Sequence, residues 1–126
     1  MRAYTVAASA VTLGVSMKWL DNALSHHRVV GVFQQRQGIS RRVTPVALLT
    51  LEIAARLGRA FAIPLGPALD ISAQLIQTRG EGTETPESPS IRLMADIDTI
   101  ATELNDRLER AVEMSPTPRR GRPRQK

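Results

Sequence analysis

Apolar and polar positions divide this chain into short helical blocks, one β-prone stretch and a polar gap. Thr5 stands where it can cap a helix over residues 6–13, and Gly14 ends that helix. Ser16 directly precedes Met17-Lys18-Trp19-Leu20-Asp21-Asn22-Ala23-Leu24 and opens a second helix as its N-cap. Beyond His26-His27-Arg28 the pattern changes: residues 29–33 are β-prone, 34–38 form a polar turn, and 39–43 alternate as a strand does. A two-stranded hairpin is expected there. Thr44-Pro45 combines a cap with a first-turn proline, so a helix follows over 46–57, with Leu48, Leu49, Ile53 and Leu57 at helical spacing and Gly58 as its stop. Pro64 or Pro67 opens the next helix, whose apolar side is Leu69, Ala73, Leu75 and Ile76. Residues 78–90 contain no hydrophobe, two glycines and two prolines, the composition of a linker. From Ile91 to before Pro116 a long amphipathic helix is expected, its apolar positions Leu93, Ile97, Ile100, Leu104, Leu108 and Ala111 spaced 4, 3, 4, 4 and 3. That stripe needs a partner surface, found either by folding back on the first domain or by pairing with itself.

Composition narrows the class. A chain of 126 residues is one small domain, and with Tyr4, Trp19, Phe33 and Phe61 as its aromatics the core must be aliphatic and alanine-rich. The absence of cysteine removes disulfides, thiolate nucleophiles and cysteine-based zinc sites. No apolar run approaches the roughly 20 residues of a membrane span, so a cytoplasmic protein with no membrane partner is expected. Charge is unevenly placed. Residues 1–80 carry nine Arg/Lys against three Asp/Glu, residues 81–114 carry three against nine, and residues 115–126 carry five and no acid. Two basic blocks flanking an acidic one provide two surfaces for an anionic polymer.

Residues 10–23 resemble a helix-turn-helix. Ala10 precedes the turn glycine Gly14 by four positions, Leu13 and Val15 flank it, and Leu20 and Ala23 follow it by six and nine. Two short helices crossing steeply need a small residue where they touch, a glycine at the turn and inward apolar residues on the second helix. A helix-turn-helix, then a hairpin, then a Thr-Pro helix start is similar to the order in MerR-like and excisionase-like winged helix-turn-helix domains, over roughly residues 4–57. The resemblance implies that the second helix enters the major groove, with Ser16, Met17, Lys18 and Asn22 facing it, and that Arg36, Arg41 and Arg42 belong to the wing. Asn22 would read adenine through its amide, and Lys18 would reach guanine or phosphate. The chain departs from the family where Asp21 and Asn22 replace the usual arginine and tyrosine; Asp21 would repel phosphate or accept from a cytosine amino group. It also lacks the cysteines of the metal-sensing members and their large effector domain, so a module without a built-in metal or drug sensor is implied.

The tail carries a second resemblance. Arg120-Gly121-Arg122-Pro123, with Arg119, Arg124 and Lys126 around it, resembles the AT-hook, a short minor-groove DNA-binding peptide. Gly121 lets the backbone reach the groove floor, Pro123 keeps the chain extended, and the arginines lie along a narrow, negative A·T tract.

No other constellation carries chemistry. His26 and His27 are adjacent with no acidic or cysteine neighbour, which fits a helix C-terminus better than a metal site. Asp96 and Asp98 point apart on a helix and read as an exposed acidic face. Without a phosphate loop, a nucleophile elbow or a catalytic triad, neither an enzyme nor a cofactor is expected. The expected architecture is therefore mainly α: a winged helix-turn-helix domain over residues 1–77 with a short two-stranded hairpin, an acidic linker over 78–90, a separate amphipathic helix over 91–114, and a disordered basic tail over 115–126. The expected function is a nucleoid-associated regulator of transcription that binds double-stranded DNA as a homodimer through residues 91–114. Two alternatives accompany it: an antitoxin whose acidic stripe of Glu103, Asp106, Glu109 and Glu113 covers a partner toxin, and an architectural protein of the nucleoid.

Overall fold

Thr5 ends a two-residue strand, β1 (Tyr4–Thr5), and caps the first helix, α1 (Val6–Leu13), its hydroxyl accepting from the Ala8 amide at 3.1 Å. The structure is a computed structural model that describes residues 3–34, 41–85 and 88–114. Next come α2 (Met17–His26), β2 (Val32–Phe33), β3 (Arg42–Val43), α3 (Pro45–Phe61), α4 (Leu65–Gln77), the hairpin of β4 (Thr83–Thr85) and β5 (Ser88–Leu93), and α5 (Ile97–Met114). The protein is mainly helical, with a small three-stranded antiparallel sheet in the order β1-β3-β2. The β2–β3 pair is the expected hairpin, whereas β1 is an unexpected third strand that adds its two residues to the far side of β3, Tyr4 opposite Val43 and Thr5 opposite Arg42. Gly31 closes this sheet onto α3. Its φ is 97°, its carbonyl accepts from both the Thr44 amide (3.0 Å) and the Thr44 hydroxyl (2.8 Å), and a Cβ there would collide with that hydroxyl.

α3 is the central helix. Ala47, Leu48, Leu51, Ile53, Ala54, Ala55 and Leu57 are all buried, so it is covered on most sides by α1, α4 and α5. Contrary to expectation Gly58 does not stop it; the helix runs on to Phe61. Glycine permits a left-handed residue but does not impose one. The stop comes at Ala62, which takes φ 58° and returns its amide to the Gly58 carbonyl at 3.0 Å. Ile63 cannot continue the helix because Pro64 disfavours helical backbone in the residue before it.

The inner side of α4 is also rotated from the expected stripe. Ala68, Leu69, Ile71, Ser72 and Leu75 are buried, whereas Ala73 is exposed. Ser72 hides this pattern in the sequence, since its hydroxyl is satisfied within the helix by donating to the Ala68 carbonyl at 2.6 Å.

Two further expectations are corrected at the C-terminal end. The segment read as a linker is partly a paired hairpin, with Thr83 opposite Leu93 and Glu84 opposite Arg92. The last helix begins at Ile97, not Ile91, because Asp96 caps it: Asp96 Oδ1 accepts from the Thr99 amide at 3.1 Å. Nor is this helix separate. Ile100, Leu104, Leu108 and Ala111 are buried, and α5 packs on α1 and α3. The stripe predicted from spacing is real, and its partner surface lies in the same chain.

A buried carboxylate fastens α5 to α3. Glu52 is 1% exposed, and its Oε2 lies 2.7 Å from Arg56 Nε and 2.8 Å from Arg107 Nη2. The Arg107 contact is an ion pair by distance but lacks hydrogen-bond geometry, and Glu52 Oε1 accepts nothing from the protein. Arg56 Nη2 in turn donates to Glu103 at 2.8 Å. Hydrogen bonds to Glu103 and then Glu52 hold the Arg56 guanidinium above its usual pKa.

Candidate nucleic-acid interface

The turn between α1 and α2 is fixed by backbone chemistry. Gly14 adopts φ 70°, donating its amide to the Val11 carbonyl (3.1 Å), while the Val15 amide reaches the Ala10 carbonyl (3.0 Å). These are the two bonds of a Schellman motif, which requires a left-handed residue at Gly14. Ser16 then restarts the chain as a helix, its hydroxyl accepting from the Trp19 amide at 3.0 Å. Ser16 is thus a capping residue first, with its side chain still exposed.

On α2, Leu20 and Ala23 are buried against the core, and Trp19 and Leu24 are half-buried. The opposite face presents Met17, Lys18, Asp21, Asn22 and Ser25 to solvent. At its end His26 Nδ1 sits 2.8 Å from the Asn22 carbonyl, and the His27 amide donates to Ala23, so the histidines finish the helix as expected.

The sheet reaches back to that exposed face. Arg41, just before β3, places Nη1 3.9 Å from Asp21 Oδ1 and donates from Nη2 to Ser25 Oγ at 3.3 Å. Asp21, which as a bare sequence position looks adverse to phosphate, is therefore ion-paired with a neighbouring arginine. Ser25 joins this face although nothing in its residue type marks it; its place one turn after Asp21 puts it there. Arg42 is exposed on β3, between Thr5 and Phe33 in register. Lys18, Arg28 and Arg42 form no ion pair among the described residues.

The charge balance of this region follows. Of the three acids in residues 1–80, Asp21 faces Arg41 and Glu52 is enclosed by Arg56 and Arg107. Asp70 alone has no ion pair among the described residues. On α5, Glu103 of the acidic stripe is engaged by Arg56 of the same chain. Arg36 of the expected wing, and the tail residues Arg119, Arg120, Gly121, Arg122, Pro123, Arg124 and Lys126, lie outside the described residues.

Among the described residues no helix is long and apolar enough to cross a membrane. Compared with known protein families, with curated proteins and with solved structures, the chain gives no match.

Proposed function

We propose that this chain is a DNA-binding regulator of the winged helix-turn-helix type, with α2 in the major groove, the β2–β3 hairpin as the wing and the basic tail in the minor groove. One observation carries the reading: Arg41, just before the central strand β3, is ion-paired with Asp21 and hydrogen-bonded to Ser25 on the outward face of α2. Arg41 thereby fastens the sheet to α2, whose outward face leaves Lys18 and Asn22 exposed to meet phosphates and base edges, while Arg42 adds a second exposed cation on β3. The unpaired Lys18 and Arg42, and the pairing of Asp21 with Arg41, favour an anionic polymer over a neutral partner.

A homodimer through residues 91–114 would use the exposed apolar side chains of that segment, Ile91, Met94 and Val112, because Ile100, Leu104, Leu108 and Ala111 are covered within the chain. Sedimentation of the full chain with and without duplex DNA measures this directly.

The decisive experiment binds the full-length protein to a fragment carrying its own upstream region, with random-sequence competitor at fixed physiological salt. Retention at high competitor excess is expected, with a footprint confined to one or a few sites. Binding that competitor abolishes would reduce the interaction to charge alone.

A further inference from the structure

Beside the turn of the helix pair lies an open groove of about 440 Å³, within the ~300–1,000 Å³ range of small-molecule sites. Gly14, Val15 and Trp19 of the turn and α2 line it together with Ala54, Ala55 and Gly58 of α3 and with Ile63 and Leu65 beyond that helix. Arg59 is the single charged residue of the lining, and it has no ion pair among the described residues.

Gly58 makes this groove more than a gap in packing. It sits inside α3 with no positive φ, and a Cβ there would find only the Ile63 carbonyl, at an ordinary 3.6 Å. Neither backbone nor neighbours therefore require glycine, yet a glycine inside a helix costs about 1 kcal/mol relative to alanine. The consequence of its presence is an open floor. Ala54 and Ala55 one turn earlier keep the same face low, and the half-buried Trp19 lines the same groove. A groove lined by a helix face without bulk and by an indole favours a flat apolar body, and a lone guanidinium favours one negative charge attached to it.

We infer that this groove is a binding site for a small aromatic anion, such as an aryl carboxylate, with Trp19 and the small residues of α3 holding the ring and Arg59 the charge. The site is distinct from the outward face of α2 and does not depend on the DNA-binding reading. Because Gly14 and Trp19 belong to the turn and to α2, an occupant would bear directly on how α2 is seated.

Trp19 is the one tryptophan of the chain, so its indole N–H gives a single resonance that reports on this groove. The test titrates the full-length protein with 2-naphthoate and, in parallel, with the neutral 2-naphthalenemethanol. A saturable shift of the Trp19 indole signal is expected for both, about tenfold tighter for the anion. Arg59→Gln should remove that difference while leaving the alcohol's affinity unchanged. Gly58→Leu should abolish both titrations and at the same time raise the melting temperature, which separates a filled groove from a misfolded variant. Several outcomes would overturn the assignment: no saturable shift, equal affinity for acid and alcohol in the unmodified protein, or a folded Gly58→Leu variant that binds as before. An indole shift that depends on protein concentration instead of ligand would place a second copy of the chain in the groove, and would overturn it too.

Discussion

Arg41 Nη1 lies 3.9 Å from Asp21 Oδ1 while Arg41 Nη2 donates to Ser25 Oγ, so the start of the central strand is tied to the exposed face of α2. Both groups of the ion pair keep contact with solvent, at 26% and 54% exposure, and such a pair adds only about 0.5 kcal/mol to stability. Its effect on binding should be larger. Asp21→Asn removes a negative charge from the proposed DNA-facing surface and frees Arg41 for phosphate. The variant is expected to bind non-specific duplex DNA severalfold more tightly, with a steeper dependence on salt and an unchanged melting temperature. Titrations at three salt concentrations check this, and a weaker affinity at every salt would show that Asp21 touches the bases.

Lys18 and Asn22 share the outward face of α2 but differ in chemistry. An amide can make two directed bonds to an adenine edge, whereas an ammonium is a point charge. Asn22→Ala should cost about 1–3 kcal/mol on the cognate site and almost nothing on random duplex. Lys18→Ala should weaken both alike and lower the salt slope by about one. Binding of each variant to specific and scrambled fragments distinguishes the two roles.

The tail makes a separate claim. Arg120→Ala combined with Arg122→Ala is expected to reduce affinity for A·T-rich duplexes more than for G·C-rich ones, since arginine is favoured where the minor groove is narrow. Paired titrations on two duplexes of equal length measure the ratio. An equal loss on both would make residues 115–126 an ordinary basic tail.

Glu52 predicts how α5 is held. Its carboxylate is 1% exposed between Arg56 and Arg107, and removing one partner of a buried charge is far more costly than replacing the whole set. Arg107→Met should lower unfolding stability by about 2–4 kcal/mol. The double variant Glu52→Leu with Arg107→Met should recover most of that loss, giving a clear coupling energy. Urea unfolding of the four proteins tests this; additive losses would mean that Arg107 acts through packing alone.

The parts of the fold legible in the sequence are those set by a residue's own backbone and its nearest neighbours. Thr5, Ser16 and Thr44-Pro45 start helices, and Gly14 ends one, because capping chemistry acts over three or four residues. The exposure of Lys18 and Asn22 follows from Leu20 and Ala23 by the same local logic. Features that depend on distant segments were not legible. Strand β1 is two residues long and exists only because β3 lies beside it. Nothing local to Glu52 shows its burial, because Arg107 arrives from α5, and Arg41 reads as a wing cation until the chain returns it to Asp21. Ser72 and Gly58 misled for a different reason: a polar residue satisfied by its own helix can be buried, and a glycine can remain helical.

Asp96 gives a pH-dependent prediction at the start of α5. Its carboxylate accepts from the Thr99 amide, first through that backbone bond and then through the Thr99 side chain, and both hold its pKa below the ordinary carboxylate value of 3.8. A depressed folded value means that the unfolded chain takes up a proton first as pH falls. The cap's contribution is therefore complete above 3.8 and is lost as pH drops through the lower folded value. Asp96→Ala should lower the melting temperature at neutral pH, where the charged cap also favours the positive end of the helix dipole. The gap between the two proteins should then narrow progressively as the buffer is taken below that ordinary value. Melting curves of both proteins from neutral to strongly acidic pH check the sign, and a gap that stayed constant would assign the loss to helix propensity and not to the charged cap.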